Sequence, residues 1–350
     1  MDTFGIMQTS FRHEKKYVRE LARAGTASGF TVVRFQPHGH LRSTILGLKY
    51  DSSRDRWRRT TFPIPALIYD RCFHNAPSKQ TLTFIKELKK QSNTTFLGYG
   101  LPGKWAVYNK LKTDTILALH LPATFQLSTH TGIRVIHNIL EEKSEVLLKP
   151  LNGSQGNGLV YITMHDHGFH SQINHKGDIL HHNYDTTRSF HNFIENLISQ
   201  KDYIAQEMLN LRDNHNNPFD RRVVMKKQGD SWKELGRATR VGMPHSFVSN
   251  LHSGGVIKFS DDLDLSKDVL VRSEEQISQL SLRTAKLLEL HFPPKFELGL
   301  DFGIDQTGHV WLLEANSKPG HTIIQDKHEL HFLPFQYCRY LQSQKKGVNK

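Results

Sequence analysis

The segment Phe296 to Gly320, FELGLDFGIDQTGHVWLLEANSKPG, constrains the fold more than any other stretch of the chain. Two apolar runs, 296–304 and 309–315, flank a short polar stretch containing Gly308, the pattern of a strand, a tight turn and a returning strand. Strands this apolar are buried, so an acid inside one needs a reason to be there. If Asp305 pairs with Val310 across the four-residue loop, constant position sums place Asp301 opposite Glu314 and Gly299 opposite Asn316. Alternation along the strand puts Glu314 and Asn316 on one face, and Asp301 joins them from the neighbouring strand. Two carboxylates and an amide oxygen so placed suit Mg²⁺, a hard ion that keeps waters and bridges carboxylates to phosphates; the alternative is a pair of acids facing solvent. Glu297 shares the parity of Asp301 but lies roughly 13 Å along the strand, too far for one ion. Asp305 reads as a turn-forming side chain before Thr307 and Gly308.

A second constellation, LLKPLNGSQGNGLVYI, sets a glycine-rich loop (Gly153, Ser154, Gln155, Gly156, Gly158) between the strand-like runs EVLLKP and LVYIT. Leu159 stands where a P-loop requires Lys, and a strand rather than a helix follows, which excludes both a P-loop and a dinucleotide fingerprint. A hairpin loop is left. Its backbone N–H groups and the Ser154 hydroxyl can close over phosphate oxygens, with Lys149 as a point charge, or it is simply a tight turn.

The first third alternates strands and helices: an apolar run at 4–7, a helical pattern over 13–28 stopped by Gly29, strands at 30–35 and 65–69, and a helix over 80–90. That is a small α/β domain ending near Gly103. Spacing then predicts a helix over 110–119, an extended segment over 123–127, a helix over 190–199 and a strand-like run over 202–209. An antiparallel sheet follows over 221–227 and 232–241, and a helix over 274–290 leads to the acidic hairpin. No internal repeat or long Pro- or Ser-rich linker separates these parts, so they are expected to pack together with ligands between them. Arg221, next to Arg222, is expected to point the opposite way into solvent.

Only Cys72 and Cys338 occur, too few for a disulfide framework and too far apart in sequence for a zinc cluster, which fits a reducing compartment. No stretch approaches the roughly 18 apolar residues of a membrane span and the first residues lack an apolar signal core, so a cytoplasmic location is expected. Net charge is 46 minus 34, or +12, with 22 histidines besides. The basic residues are spread along the chain, with small clusters at Arg54, Arg56, Arg58, Arg59 and at Lys345, Lys346, and are not interleaved with aromatics. This charge reads as ordinary surface plus phosphate-ligand binding rather than as a nucleic-acid interface.

Taken in order, PALIYDR (Pro65 to Arg71), NKLKTD (Asn109 to Asp114), LLKPLNGSQGNG, YIAQEML (Tyr203 to Leu209), DRRVVM (Asp220 to Met225), SNLHSGG (Ser249 to Gly255) and LDFGID followed by WLLEANSKPG resemble the ATP-grasp superfamily. Within it the chain is most similar to the YheC/YheD family of endospore coat-associated proteins, over almost its whole length. The resemblance implies an α/β and α+β architecture. Residues 1–105 would form a pre-ATP-grasp α/β domain, 106–210 a small lid domain with the central linker and 211–345 a large domain carrying the metal site, ahead of a basic tail at 346–350.

The same resemblance implies roles at the matched positions. Lys110 and Lys149 would contact phosphates, Gly153 to Gly158 would close over them, and Gln206, Glu207, Met208 and Leu209 would meet adenine. Asp220 would accept from ribose, Asn250, Gly254 and Gly255 would form a substrate-side loop, and Asp301, Glu314 and Asn316 would hold the metal. Arg222 would face phosphate, with Arg240 polarising an acyl phosphate. Plainer readings remain for Lys110, an exposed helix lysine, and Arg240, a surface strand residue. The implied ligands are ATP and Mg²⁺, two ions or Mn²⁺ in their place, with a small carboxylate and an amine as substrates. Spore coat proteins are the implied partners, in a sporulating cell. The rival expectation is a coat-assembly protein that kept the fold and lost the reaction.

Overall fold

The computed structural model describes residues 2–73, 77–153, 156–175, 177–244, 246, 247, 249, 255–259 and 267–348. Its first sheet contains β1 (Thr3–Met7), β2 (Thr31–Phe35), β3 (Thr44–Asp51), β4 (Arg56–Pro63), β5 (Leu67–Asp70) and β6 (Thr95–Phe96), in the order β4-β3-β2-β1-β5-β6. β1 runs parallel to both β2 and β5, as the βαβ opening requires. Helix α1 (Lys15–Ala27) ends before Gly29, whose φ of 83° lies in the left-handed region that only glycine adopts freely. Helix α2 (Lys79–Lys89) starts at Ser78, whose hydroxyl accepts from the Thr81 backbone N–H. The β3–β4 hairpin carried no apolar alternation in the sequence, because β4 is a mostly exposed, basic edge strand.

After helix α3 (Lys104–Leu111) the predicted helix over 110–119 does not form. Asp114 accepts from the backbone N–H groups of Ile116 and Leu117, and this side-chain capping restarts the chain as a short 3₁₀ turn over Leu117–His120. The second sheet comprises β7 (Thr124–Gln126), β8 (Glu145–Pro150), β9 (Val160–His165), β10 (Gly168–His175), β11 (Asp178–Tyr184) and β12 (Tyr203–Glu207), in the order β11-β10-β9-β8-β12-β7. Helices α4 (Gly132–Lys143) and α5 (Thr187–Gln200) cover one face through Ile136, Leu140, Phe190 and Ile194, packed on Val146, Leu148, Val160 and Ile162. Alternation therefore turns Leu147, Lys149 and Tyr161 to the opposite face.

The third sheet is antiparallel: β13 (Phe219–Gln228), β14 (Ser231–Val241), β15 (Val256–Lys258), β16 (Glu297–Ile304) and β17 (Val310–Asn316), ordered β15-β14-β13-β16-β17. Helix α6 (Lys267–His291) packs on it through Ile277, Leu280, Ala285 and Leu288. The final helix α7 (Lys327–Val348) went unread in the sequence, where Pro334 interrupts its pattern. It contributes Leu333, Phe335 and Cys338 to one core with Phe4 and Val32 of the first sheet, Ala22 of α1, and Val224 and Leu235 of the third sheet, and so welds those two sheets together.

Register at the acidic hairpin agrees with expectation at the decisive positions, Asp301 against Glu314 and Gly299 against Asn316. The route differs. Ile304, not Asp305, pairs with Val310, and Leu313 is an extra residue that shifts the ladder between Phe302 and Asp301. Asp305 instead accepts from the backbone N–H groups of Thr307 and His309 and closes the turn, as its place before Gly308 predicts. Arg221 corrects the sequence reading: it does point away from Arg222, but into protein, where it pairs with Glu274 at 2.5 Å and is only 3% exposed. Glu297 is likewise buried, among Arg71, Lys226, Tyr69 and His321.

Candidate active site

The cleft-facing side of the second sheet and the upper face of the third enclose a cavity of about 600 Å³. Lys149, Gly156, Gln206, Glu207, Met208, Leu209, Asp220, Arg222, Arg240, Asp301, Glu314 and Asn316 all line it, from segments up to 167 positions apart (316 minus 149). A smaller lobe of about 250 Å³ lies beneath α3, shares Lys149, Gln206, Glu314 and Asn316, and adds Lys104 and Gly153. Ser154, Gln155, Asn250 and Gly254 lie outside the described residues.

Lys149 stands on β8, opposite Ile204 of β12, one residue before the turn into the glycine loop. Burial pushes its ammonium down to about 8, against the pull of Glu314, and Lys104 adds to the lowering. Gly156 and Gly158 have φ of 71° and 80°, so the loop needs glycine at both places. Gly158 donates to the Asn174 carbonyl at 2.8 Å and accepts from the Tyr203 hydroxyl at 3.2 Å, which ties the loop to the sheet. Next along β12, the buried Gln206 donates its amide to Thr124 Oγ1 at 2.8 Å, and the Glu207 carboxylate accepts from the Ala123 N–H at 2.6 Å. Both polar ends at this hinge are thereby oriented.

On the third sheet the arginines and acids interlock. Arg222 lies opposite Asp301 in the β13–β16 ladder and grips its carboxylate through Nε and Nη2, the latter at 2.8 Å. Arg240, opposite Asp220 across β13–β14, donates Nε to Asp220 at 2.7 Å and reaches Asp301 with Nη2 at 3.0 Å. Burial raises the Asp301 pKa, but Arg222 and Arg240 outweigh it and hold the carboxyl below its usual range. Asp220, also accepting from Ser249, is left raised by burial, with Arg240 opposing and Asp301 reinforcing. Here Asp220 orients Arg240, beyond the ribose contact its position implied.

Lys110 is exposed on α3 and borders neither lobe. The lysine that reaches the site from this helix is Lys104, whose Nζ sits 3.4 Å from Glu314 Oε1 and donates to the Gly153 carbonyl at 2.8 Å. It occupies the first turn of α3 after Gly103, where a cation opposes the helix dipole. That placement was the available signal, and the sequence reading passed over it. The first domain also reaches the cavity, through Cys72 and Phe73, beside Lys318, which bridges to Asp70 at 2.8 Å.

The oxygen set formed by Asp301, Glu314 and Asn316 fits Mg²⁺ chemically: every donor is hard, and Asp301 is kept ionised by its arginines. Among the described residues no group of three or more His, Cys, Asp or Glu side chains is arranged to hold a metal, and this set combines two carboxylates with an amide oxygen.

A family model described as YheC/D like ATP-grasp matches residues 93–341, which contain every element of this cleft except the short wall from the first domain. The chain belongs to the YheC/D-like ATP-grasp family. It is 30% identical, over 99% of its own length and 99% of the relative's, to the endospore coat-associated protein YheC of Bacillus subtilis (strain 168). Among solved structures, D-cycloserine synthetase DcsG superposes with a TM-score of 0.59 at 13% identity, over 96% of this chain and 99% of that one. D-alanyl-alanine synthetase A from Vibrio cholerae gives 0.57 at 13% identity, over 98% of both chains. These two likenesses establish the ATP-grasp fold. No helix among the described residues is long and apolar enough to cross a membrane.

Proposed function

We propose that this YheC/D-like ATP-grasp chain binds ATP with Mg²⁺ and transfers the γ-phosphoryl group to a carboxylate, so that an amine displaces phosphate and an amide bond forms. One observation carries the reading: Asp301, Glu314 and Asn316 lie in adjoining register on β16 and β17 and share a cavity with Lys149 of the opposite sheet. Gln206 to Leu209 provide the adenine edge, where the amide nitrogen of Gln206 is committed to Thr124 and its side-chain oxygen is the end left to accept from an exocyclic amine. Lys149 and Lys104 neutralise phosphate oxygens and the glycine loop closes over them. Arg222 and Arg240, oriented by Asp301 and Asp220, face the transferring group and the developing acyl phosphate. When bound by Asp301, Glu314 and Asn316, Mg²⁺ supplies charge neutralisation between the phosphate oxygens. The protein's own share is positioning. By the name of its relative, the protein acts in association with the endospore coat of sporulating cells.

Mg-ADP at a hundredfold excess over its Kd should raise unfolding free energy by about 2.7 kcal/mol, read as a thermal shift. No shift at millimolar nucleotide would refute the nucleotide site. Lys104→Ala should weaken Mg-ADP binding about tenfold, the worth of one charge-assisted contact, while Lys110→Ala leaves it unchanged by calorimetry. Equal losses in both variants would restore Lys110 to the site.

The pKa of Lys149 near 8 sets a pH dependence. Only the ammonium form attracts phosphate, so above pH 8 binding must carry an added proton, and Mg-ADP affinity should fall by up to about tenfold per pH unit. Lys149→Arg should bind with a flat profile over that range, because guanidinium stays charged.

A further inference from the structure

On the α1 side of the first sheet, Arg34 of β2 is packed against two aromatic rings. Its guanidinium carbon lies 4.7 Å from the Phe11 ring centroid and 4.5 Å from that of Trp57. Its Nε is buried and has no hydrogen-bond partner. Among the described residues no carboxylate pairs with Arg34. The acids of the neighbouring hairpin are already engaged, Asp51 with Arg58 at 3.6 Å and Asp55 with Arg23 and Tyr50.

More positive charge converges on the same place. Arg34 lies opposite Leu48, and Leu48 opposite Arg59, so Arg34 and Arg59 stand on one face two strands apart. Arg19 of α1 is close enough to add to the lowering of the Arg34 pKa that burial begins. Both Arg19 and Arg59 are exposed. A guanidinium packed against two rings has its orientation restricted, which is what bidentate recognition of a tetrahedral or planar oxyanion needs. Partly buried positive charge with no acid beside it costs stability unless an anion visits.

We propose that Arg34, flanked by Arg59 and Arg19 and packed against Phe11 and Trp57, forms an oxyanion-binding site on the α1 face of the first sheet. Its ligand is a phosphate or carboxylate group, carried free or on a larger molecule. None of Arg34, Arg59 and Arg19 lines the nucleotide cavity, and the site does not depend on the ligase reading.

Full-length protein saturated with Mg-ADP, so that the cleft is filled, would be titrated with inorganic phosphate and, in a parallel arm, with citrate. NMR of the arginine Nε–H groups reports Arg34 directly, because its buried Nε–H is shielded from exchange. The expected result is a saturable shift of the Arg34 signal with at least one of the two anions. The exposed variants Arg59→Gln and Arg19→Gln should each weaken binding at least threefold with melting unchanged, and Arg34→Gln should abolish it. Greater potency of phosphate would assign a phosphoryl ligand, and of citrate a carboxylate one. Absence of a saturable shift with both, or an affinity indifferent to Arg59→Gln and Arg19→Gln, would leave the stacked arginine as packing alone and overturn the site.

Discussion

Glu314→Gln is expected to lower ATP turnover by about 10²–10³-fold without changing the melting temperature measurably. Glu314 is the more exposed carboxylate of the oxygen set, so its removal disturbs buried charge less than removal of Asp301 would. Its side chain is 33% exposed, and its ion-pair partner Lys104, at 3.4 Å, keeps the Gly153 carbonyl as an acceptor. Asp301→Asn is a poorer test, since Arg222 and Arg240 would both lose the anion they share and the fold would suffer with the chemistry. ATP hydrolysis or phosphate release in the presence of amino acids and small peptides is the measurement, with denaturant melts alongside. Wild-type turnover in Glu314→Gln would remove the metal assignment. Loss of turnover together with loss of folding would show that Glu314 is structural.

Glu297→Gln should destabilise the protein by about 3–5 kcal/mol, the cost of leaving buried cations without their anion. Glu297 is 4% exposed and pairs with Arg71 and, at 2.9 Å, with Lys226, both fully buried. Arg71 also reaches Glu14 at 2.5 Å and donates to the Pro319 carbonyl at 3.1 Å, so this cluster joins the first sheet to the segment that follows Asn316. Its position explains why an acid of Asp301's parity stands so far from the cleft: it ties the third sheet to the first, where Tyr69 and Arg71 lie, rather than serving an ion. Chemical denaturation gives the value, and a loss below about 1 kcal/mol would mean that water or a rearranged Glu14 replaces the lost charge.

The cluster also fixes the sign of the acid response. Burial, with Lys226 and Arg71 adding to it, keeps His321 neutral well below its usual range, although Glu297 pulls the other way. Below about pH 6.5 the unfolded chain takes up a proton at this histidine that the folded chain does not, so stability falls as pH drops, by up to about 1.4 kcal/mol per unit. Burial raises the Glu297 pKa, but Lys226 and Arg71 depress it further, so its contribution is present above about pH 4.3 and is lost on further acidification. His321→Leu should flatten the first of these slopes and leave the second.

Much of the candidate site was legible because the rules involved are local. Period-two alternation and constant position sums within one hairpin were enough to bring Asp301, Glu314 and Asn316 together, even though the register next to the turn is offset by one residue and the Leu313 bulge restores it. The Lys-Pro step and the glycine spacing likewise placed Lys149 before a loop that demands glycine at 156 and 158. Neighbouring residues in a strand decide such features whatever the rest of the chain does.

Other outcomes depended on which distant surfaces meet. Lys104 rather than Lys110 faces Glu314 because Asp114 ends α3 early and the orientation of that helix over the cleft is set by packing on α6 and β16. Arg221 is buried because Glu274 of α6 lies over it, and a strand's parity says which side a residue takes, not what covers that side. Helix α7, the closure of the first sheet against the third and the charged cluster around Glu297 were invisible for the same reason. The sequence by itself determined the oxygen set and the glycine loop, since each follows from backbone periodicity within its own hairpin. Only the tertiary structure decided which cations attend them, because ion pairing is settled by burial and distance between segments far apart in the chain.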